Sequence, residues 1–384
     1  MKNIAFIAPY SWIGVSSPLI NTAIFLANKG HQIDIYTVFD KTTAEKGINN
    51  FDFNNKKINV FILRKNTFQK IKSKLDGNNY YSFFLSKIDT HNYDLLIAFD
   101  LKGLRIAAQL SKKTGIKYIF FSLEIENPNQ ISSRDRVSSK NAILTITQHA
   151  SRRTVLSKLY GIGIENIYIL PNAPIGAVLK AKKKYFHQNL DIPKEKLIVL
   201  VTGTLGKDHC VDKIINTVLS WEDDYVCVLH GWFVDDISEK LFIKVKDEFP
   251  DKIFYSGKML PFHEKYTIFQ SVDIGLVAFD PYNDNFKYAS GAAGKLYDFL
   301  CCGVPIVAND IPNAKELIEQ PNSGLIVDKF SQLPFALEKI ISSYEYFSEN
   351  CYKNYQKYEF SRNFDYIYQL FENSNSSILD KYLV

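Results

Sequence analysis

The sequence predicts an α/β protein built from two doubly wound domains, each a parallel sheet covered by helices on both faces. Three observations carry this reading. Short apolar, β-rich runs alternate with longer helical patterns along the whole chain. The same alternation begins afresh after a break at Pro171, Asn172 and Pro174. At 384 residues the chain also exceeds what one hydrophobic core usually reaches.

In the first half, 4–8, 33–37, 60–63, 95–99, 118–121, 142–146 and 167–170 read as strands. Between the first two, Leu19, Ala23, Phe25, Leu26 and Ala27 mark a helix and Gly30 supplies its stop, which closes a βαβ unit in about 35 residues. In the second half, 198–201, 226–229, 253–255, 274–279, 306–308 and 325–327 read as strands. The expected division is 1–172, 173–343, and a helical, aromatic and charged tail over 344–384 that packs back across the domains.

Composition narrows the class. With 46% apolar, 14% aromatic and 23% charged residues the chain reads as globular rather than disordered or fibrous. The five cysteines (Cys210, Cys227, Cys301, Cys302, Cys351) are odd in number and include no CxxC pair, and no histidine spacing suits zinc. A reducing compartment and no bound metal are expected. The apolar run 4–8 ends at Pro9, too short for a signal-peptide core, and no run reaches membrane-spanning length, so a cytoplasmic location is expected.

The net charge of +5 is unevenly placed, with Arg64, Lys65, Lys70, Lys72 and Lys74 in one cluster and Lys180, Lys182, Lys183 and Lys184 in another. Such clusters are ordinarily solvated surface. The sharper alternative is peripheral docking on an anionic membrane face, at about 1 kcal/mol per basic residue near the surface. Neither cluster interleaves aromatics in a nucleic-acid-reading pattern, so nucleic acid is not an expected partner.

Ligands of open parallel sheets sit outside the carboxyl ends of the strands, so site residues are sought just after strands. After the first strand, 9–18 holds Gly14, Ser16 and Ser17, whose backbone N–H groups can meet a phosphate or sugar. Alternatively, Ser16 or Ser17 caps the helix with Pro18 at its first position. The loop has no GxGxxG, which argues against a tightly held dinucleotide.

After 198–201, the run from Thr202 through Gly203, Thr204 and Gly206 to Lys207 and His209 reads as the floor of a diphosphate site, with Lys207 or His209 supplying charge. The strand 226–229 leads into His230 and Gly231, where a base or ribose can lie against bare backbone. His230 reads equally as a satisfied edge residue, and its isolation argues against a metal.

The most informative segment is 288–308. Ser290, Gly291, Ala292 and Gly294 are small residues that expose successive N–H groups at a helix start, where the dipole favours a diphosphate. Lys295 adds a positive charge beside Leu296, and Asp298 lies one turn in, placed to accept ribose hydroxyls. Gly303 ends the helix and Pro305 leads into a buried strand.

The pattern resembles the GT-B fold glycosyltransferases, specifically the retaining family 4 type. The stretch KLYDFLCCGVPIVA (295–308) is similar to the helix and strand that follow that family's paired acids, and Glu316 in AKELI matches the acid of its next helix. The segments IAFIAPYSW, NKGHQIDIYT, FFSLEIE, ILPNAP, VTGTLG and VLHGW occur in family order.

The resemblance implies two facing Rossmann-like domains with a cleft between them, the first on the acceptor side and the second binding the nucleotide sugar. In the family, two acids with seven residues between them flank the donor, the first touching the sugar and the second the ribose. Here these positions are Ser290 and Asp298, and a serine can hydrogen-bond a hydroxyl but holds no charge. The loop matching Gly203 to His209 carries Thr204 where the family tends to have Arg, with Lys207 and His209 near the expected Lys. Where a first-domain histidine often follows the strand 118–121, this chain offers Ser122 and Glu124.

The implied reaction moves a sugar from a UDP- or GDP-type donor to a glycan, lipid-linked or protein-linked acceptor, with retention and without a cofactor or protein-bound metal, in surface polysaccharide or glycoconjugate synthesis. Charge on the leaving diphosphate would be met by helix N–H groups with Lys207, Lys295 or His209. Ser122, Glu124 and Lys207 are the catalytic candidates, and Ser16, Ser17, Asp100 and Glu124 stand on the acceptor side. Two other readings share the fold: a degenerate subunit that binds glycan or a catalytic partner without turnover, and a sugar-nucleotide isomerase.

Overall fold

The computed structural model describes residues 1–45, 53, 55–64, 84–88 and 92–373, so Lys65, Lys70, Lys72 and Lys74 of the first basic cluster lie outside the described residues. The chain divides into two compact units, Met1–Pro171 with Ser361–Val384, and Asn172–Phe360.

The first unit holds β1 (Asn3–Ile7), β2 (Gln32–Val38), β3 (Ile58–Leu63), β4 (Leu95–Phe99), β5 (Tyr118–Phe121), β6 (Thr145–Thr147) and β7 (Ile167–Ile169). They pair in parallel in the order β3-β2-β1-β4-β5-β6-β7. Ile4, Ala5, Phe6 and Ile7 of β1 are all fully buried, as expected of a strand covered on both faces. Ile4, Phe6 and Ile7 each contribute about 1.5–3 kcal/mol on leaving water. β6 starts later than the expected 142 because Asn141 and Ala142 still close the Ser133–Lys140 helix through bonds to Val137 and Ser139 carbonyls.

Strand order reverses between β1 and β4, so the loops after these neighbours leave towards opposite faces and open a crevice at their carboxyl ends. The helix Asp100–Thr114 after β4 runs close against β1. A side-chain carbon at Gly103 would come within 2.5 Å of the Ile7 carbonyl oxygen, so this approach needs glycine.

The helix Phe360–Asn373 returns to this unit. Phe364 packs edge-on against Phe25, Lys29 pairs with Asp365 at 2.6 Å, and Lys2 pairs with Glu372 at 2.7 Å. The preceding helix, Tyr344–Tyr358, belongs to the second unit, where the Tyr355 hydroxyl donates to the Pro174 and Gly176 carbonyls.

The second unit holds β8 (Leu197–Leu205), β9 (Tyr225–Phe233), β10 (Ile253–Ser256), β11 (Ile274–Val277), β12 (Ile306–Asn309) and β13 (Gly324–Val327), parallel in the order β10-β9-β8-β11-β12-β13. Period-two alternation sends Ile198, Leu200, Val226 and Val228 into one core cluster and Val199, Val201, Cys227 and Leu229 into the other. Strand order reverses between β8 and β11.

β8 and β9 run well past the expected ends at 201 and 229, so Thr202 to Leu205 is paired strand rather than loop. Gly203 and Gly231 are register partners with φ of +100° and +147°. A side-chain carbon at Gly231 would fall 1.9 Å from the Gly203 carbonyl oxygen, so the bare backbone expected to receive a base or ribose instead receives a neighbouring strand.

Candidate functional site

In the second unit, the switch between β8 and β11 brings the loops after those strands together. Asp280 N–H donates to the Asp208 carbonyl at 3.0 Å, and Lys213 pairs with Asp280 at 2.8 Å. The helix Gly294–Cys301 starts beside them, and no side chain caps it at Ala293. Ser290–Ala292 forms a separate tight turn before it, so the small residues are not one continuous helix start. Tyr297 Oη donates to the Gly291 carbonyl at 2.9 Å and Asn172 Nδ2 to the Ala292 carbonyl at 2.7 Å, which fixes this turn.

Lys295 is brought onto β8 near its carboxyl end. Its Nζ donates to the Thr202 carbonyl at 2.9 Å and lies 5.3 Å from the Phe279 ring centre. No carboxylate stands within ion-pair distance of it among the described residues. Burial lowers its ammonium to about 8.

His209 packs against Phe279 and Phe286, and burial together with the Lys295 charge lowers it to about 3. It is therefore neutral near pH 7 and does not provide the positive charge expected of it. Lys207 is exposed, with its backbone N–H held by Asp235 at 2.8 Å. Gly203 and Thr204 are partly exposed at the end of β8, and no atom lies within 4 Å of the side-chain position of Gly203.

Two donor-side expectations meet different surroundings. Leu296 is fully buried in the core. Asp298 is 5% exposed, and both its oxygens accept from Lys265 Nζ, at 2.9 and 3.1 Å. Burial raises the Asp298 carboxyl while Lys265 opposes the rise. The carboxylate expected to take ribose hydroxyls is thus engaged in a buried ion pair. Ser290 is buried, and His230 is a core residue, hydrogen-bonded at Nδ1 to Ser256 Oγ at 3.0 Å and lowered to about 4 by burial.

The first unit carries a second polar cluster at the carboxyl ends of β1, β4 and β5. Asp100 adopts φ of +56° directly after β4, and its Oδ1 accepts from the Leu123 and Glu124 N–H groups at 2.7 and 3.0 Å. Burial and the Glu124 charge raise its carboxyl to about 8 against those two bonds. Arg152, 1% exposed on the helix Ala150–Tyr160, donates from Nη2 to the Leu123 carbonyl at 2.7 Å. Ser122 is buried and bonded through Oγ to the Glu124 carbonyl, whereas Glu124 itself is exposed.

From the β1 loop, Tyr10 stacks on Trp12 with ring centres 4.0 Å apart. Gly14 is buried in the turn Ile13–Val15 and Ser17 opens the helix Ser17–Asn28. Ser16 occupies the cap position without a capping bond, so the alternative of a serine cap is not realised by its side chain. Its hydroxyl and that of Tyr10 are both buried, and the two lie close enough to interact.

The sequence reading missed Lys265, Phe279, Tyr10 and Arg152. Tyr10 and Phe279 stand directly after or at the ends of read strands and were open to the same rule. Lys265 lies in the turn before the helix Tyr266–Phe269 and Arg152 within a helix, each without any local signal. Among the described residues no cluster of His, Cys, Asp and Glu is arranged to hold a metal, and no helix is long and apolar enough to cross a membrane.

No family model matches the chain, and no curated protein matches it in sequence. Solved structures match over nearly its full length. HepE of Anabaena, in complex with UDP and glucose, has 14% identity and a TM-score of 0.71, covering 97% of this chain and 100% of its own. Sucrose-phosphate synthase of Thermosynechococcus elongatus has 12% identity and a TM-score of 0.69, covering 97% and 100%. WaaG, a glycosyltransferase involved in lipopolysaccharide biosynthesis, has 15% identity and a TM-score of 0.63, covering 95% and 99%. The chain has the GT-B glycosyltransferase fold.

Proposed function

We propose that the chain is a glycosyltransferase that binds a nucleoside-diphosphate sugar, of UDP type, in its second unit and passes the sugar to a hydroxyl of a glycan, lipid-linked or protein-linked acceptor, with retention. The observation that carries this is the placement of Lys295 Nζ at the carboxyl end of β8, beside an uncapped helix start. A diphosphate there would meet first-turn N–H groups and one ammonium. These donors are fixed before the reaction, as stabilisation of a leaving diphosphate requires. The UDP-bound state of HepE, a protein of the same fold, supports the choice of uridine.

The neutral His209, exposed Lys207 and engaged Asp298 leave Lys295 as the main charge at this site. The degenerate-subunit reading has its own support, because Ser290 is buried and Asp298 is tied to Lys265. The two readings separate in one experiment. The wild-type chain is incubated with a panel of UDP- and GDP-sugars, nucleotide release is measured, and anomeric configuration of any transfer product is read by NMR. Release of UDP with a retained product supports the transferase. Nucleotide binding without release supports the degenerate subunit, and a changed sugar on an intact nucleotide supports the isomerase.

Surface polysaccharide or glycoconjugate synthesis, at the cytoplasmic face of a membrane, is the setting in which such an activity fits. In the second basic cluster the Lys182 ammonium is tied to the Val272 carbonyl and the Tyr344 hydroxyl, so docking on anionic lipid would fall chiefly to Lys180, Lys183 and Lys184. Absence of binding to phosphatidylserine vesicles at low salt would dispose of this part.

A further inference from the structure

We propose that Asn309 is a positioning residue of the donor site, acting on the Lys295 ammonium through the ring of Phe279. This deepens the nucleotide-sugar reading, on which it rests for the ligand, and every group involved lies in the second unit. Asn309 ends β12. Its backbone pairs with Val327 of β13, while its side chain turns to the other neighbour, β11, which stops at Val277. There Asn309 Oδ1 accepts from the Phe279 N–H at 3.0 Å, and Nδ2 donates to the Phe279 carbonyl at 2.9 Å. One amide thus holds both backbone groups of a residue just past the strand end. Phe279 is 5% exposed, so these groups have little water to turn to once the amide is gone.

What the clasp fixes is a ring between two basic groups. The Phe279 centroid lies 5.3 Å from Lys295 Nζ and 5.3 Å from the His209 ring. The ammonium also donates to the Thr202 carbonyl of β8 at 2.9 Å. A ring face attracts a cation but keeps water from it, and the two effects oppose one another. Burial lowers the ammonium to about 8, so exclusion of water is the stronger. The titratable groups facing Lys295 are His209 and Cys210, at the turn after β8. His209 is neutral near pH 7, and burial pushes the Cys210 thiol up to about 12. Neither supplies a negative charge near pH 8, so the placement of the ring governs how much charge the site presents to a diphosphate.

The test follows the Lys295 side chain directly, by carbon-13 NMR at Cε in the lysine-labelled full-length chain, with Lys295→Met assigning the signal. Wild type should titrate with a midpoint near 8. In Asn309→Ala the ring is released, water reaches the ammonium, and the midpoint should rise by about one pH unit or more towards the ordinary lysine value. Phe279→Leu should give a similar rise with the clasp intact. The double variant should rise no further than Phe279→Leu alone, because Asn309 acts through the ring. Should Asn309→Ala fail to fold, Asn309→Ser, too short to reach both backbone groups, takes its place with the same expected rise.

Calorimetric UDP binding gives the functional readout. Wild-type affinity should fall about tenfold from about pH 7 to about pH 9, as the free ammonium loses its proton, and that of Asn309→Ala only about twofold. At pH 7 the variant should bind UDP about 2- to 10-fold more weakly, because its ammonium is no longer held in place. A midpoint that the Asn309 variant leaves at the wild-type value overturns the proposal, as does a double variant that rises well beyond Phe279→Leu alone. UDP binding with the same pH dependence in wild type and variant refutes the positioning role and leaves the nucleotide-sugar reading standing. A wild-type chain that binds no UDP removes that reading and takes the donor-site role with it, whatever the NMR midpoints show.

Discussion

Replacing Lys295 with Met should weaken UDP binding and remove its dependence on alkaline pH. Burial lowers the ammonium from 10.5 to about 8, which corresponds to roughly 3 kcal/mol of lost preference for the charged form. A diphosphate about 4 Å away, at an effective dielectric near 20, returns about 4 kcal/mol per unit charge, enough to restore full protonation. The free site is then about half-protonated at pH 8 and the bound site fully so, and binding should draw in about half a proton. Loss of a charge-assisted hydrogen bond, about 1.5–3 kcal/mol, predicts a Kd for Lys295→Met roughly 10- to 100-fold weaker at pH 7. Calorimetry of UDP binding in buffers of different ionisation enthalpy measures both quantities. Equal affinity and equal proton uptake in K295M would refute the reasoning. Stability adds an independent sign. The unfolded chain holds this proton more tightly between about pH 8 and 10.5, so wild-type stability gains over that window and K295M does not share the gain.

Three further outcomes follow from particular contacts. Asp298→Ala removes the carboxylate that Lys265 pairs with and should cost about 3–5 kcal/mol in urea unfolding, whereas Lys265→Met combined with Asp298→Leu should recover most of it. Gly231→Ala places a carbon 1.9 Å from the Gly203 carbonyl at φ of +147° and should lose more than about 2 kcal/mol, read by thermal melting. The Asp100 carboxyl is held near 8 against an ordinary 3.8, so the native state binds the extra proton between those values. Wild-type stability should therefore fall as pH rises from about 4 to about 8, and Asp100→Asn should abolish that slope in pH-dependent melts.

The fold was legible because most strands, such as β1, β4 and β5, are short runs buried on both faces, and such runs announce themselves by composition whatever surrounds them. Thirteen such runs were read and the same thirteen stretches form the two sheets, with shifted ends. The ends shifted where pairing was decided by partners. β8 and β9 extend because Gly203 and Gly231 permit mutual approach, a fact held by neither segment alone.

The positions of the candidate residues along the chain were legible, but their electrostatic states were not. The loop rule led to Gly203, Thr204, Lys295 and Asp100, yet their electrostatic states depend on residues distant in sequence. Lys265 reaches Asp298, burial and then the Lys295 charge lower His209, and the Leu123 and Glu124 N–H groups fix Asp100. Arg152 was invisible because a single buried arginine leaves no periodic signature in its helix.

The most direct test of a nucleotide-sugar transferase with its donor site at the end of the second sheet is nucleotide release from a panel of UDP- and GDP-sugars by wild type and K295M in parallel. The prediction is that at least one UDP-sugar is consumed by wild type, with release strongly reduced in K295M. A wild-type chain that binds no nucleotide at millimolar concentration and consumes no donor would contradict it.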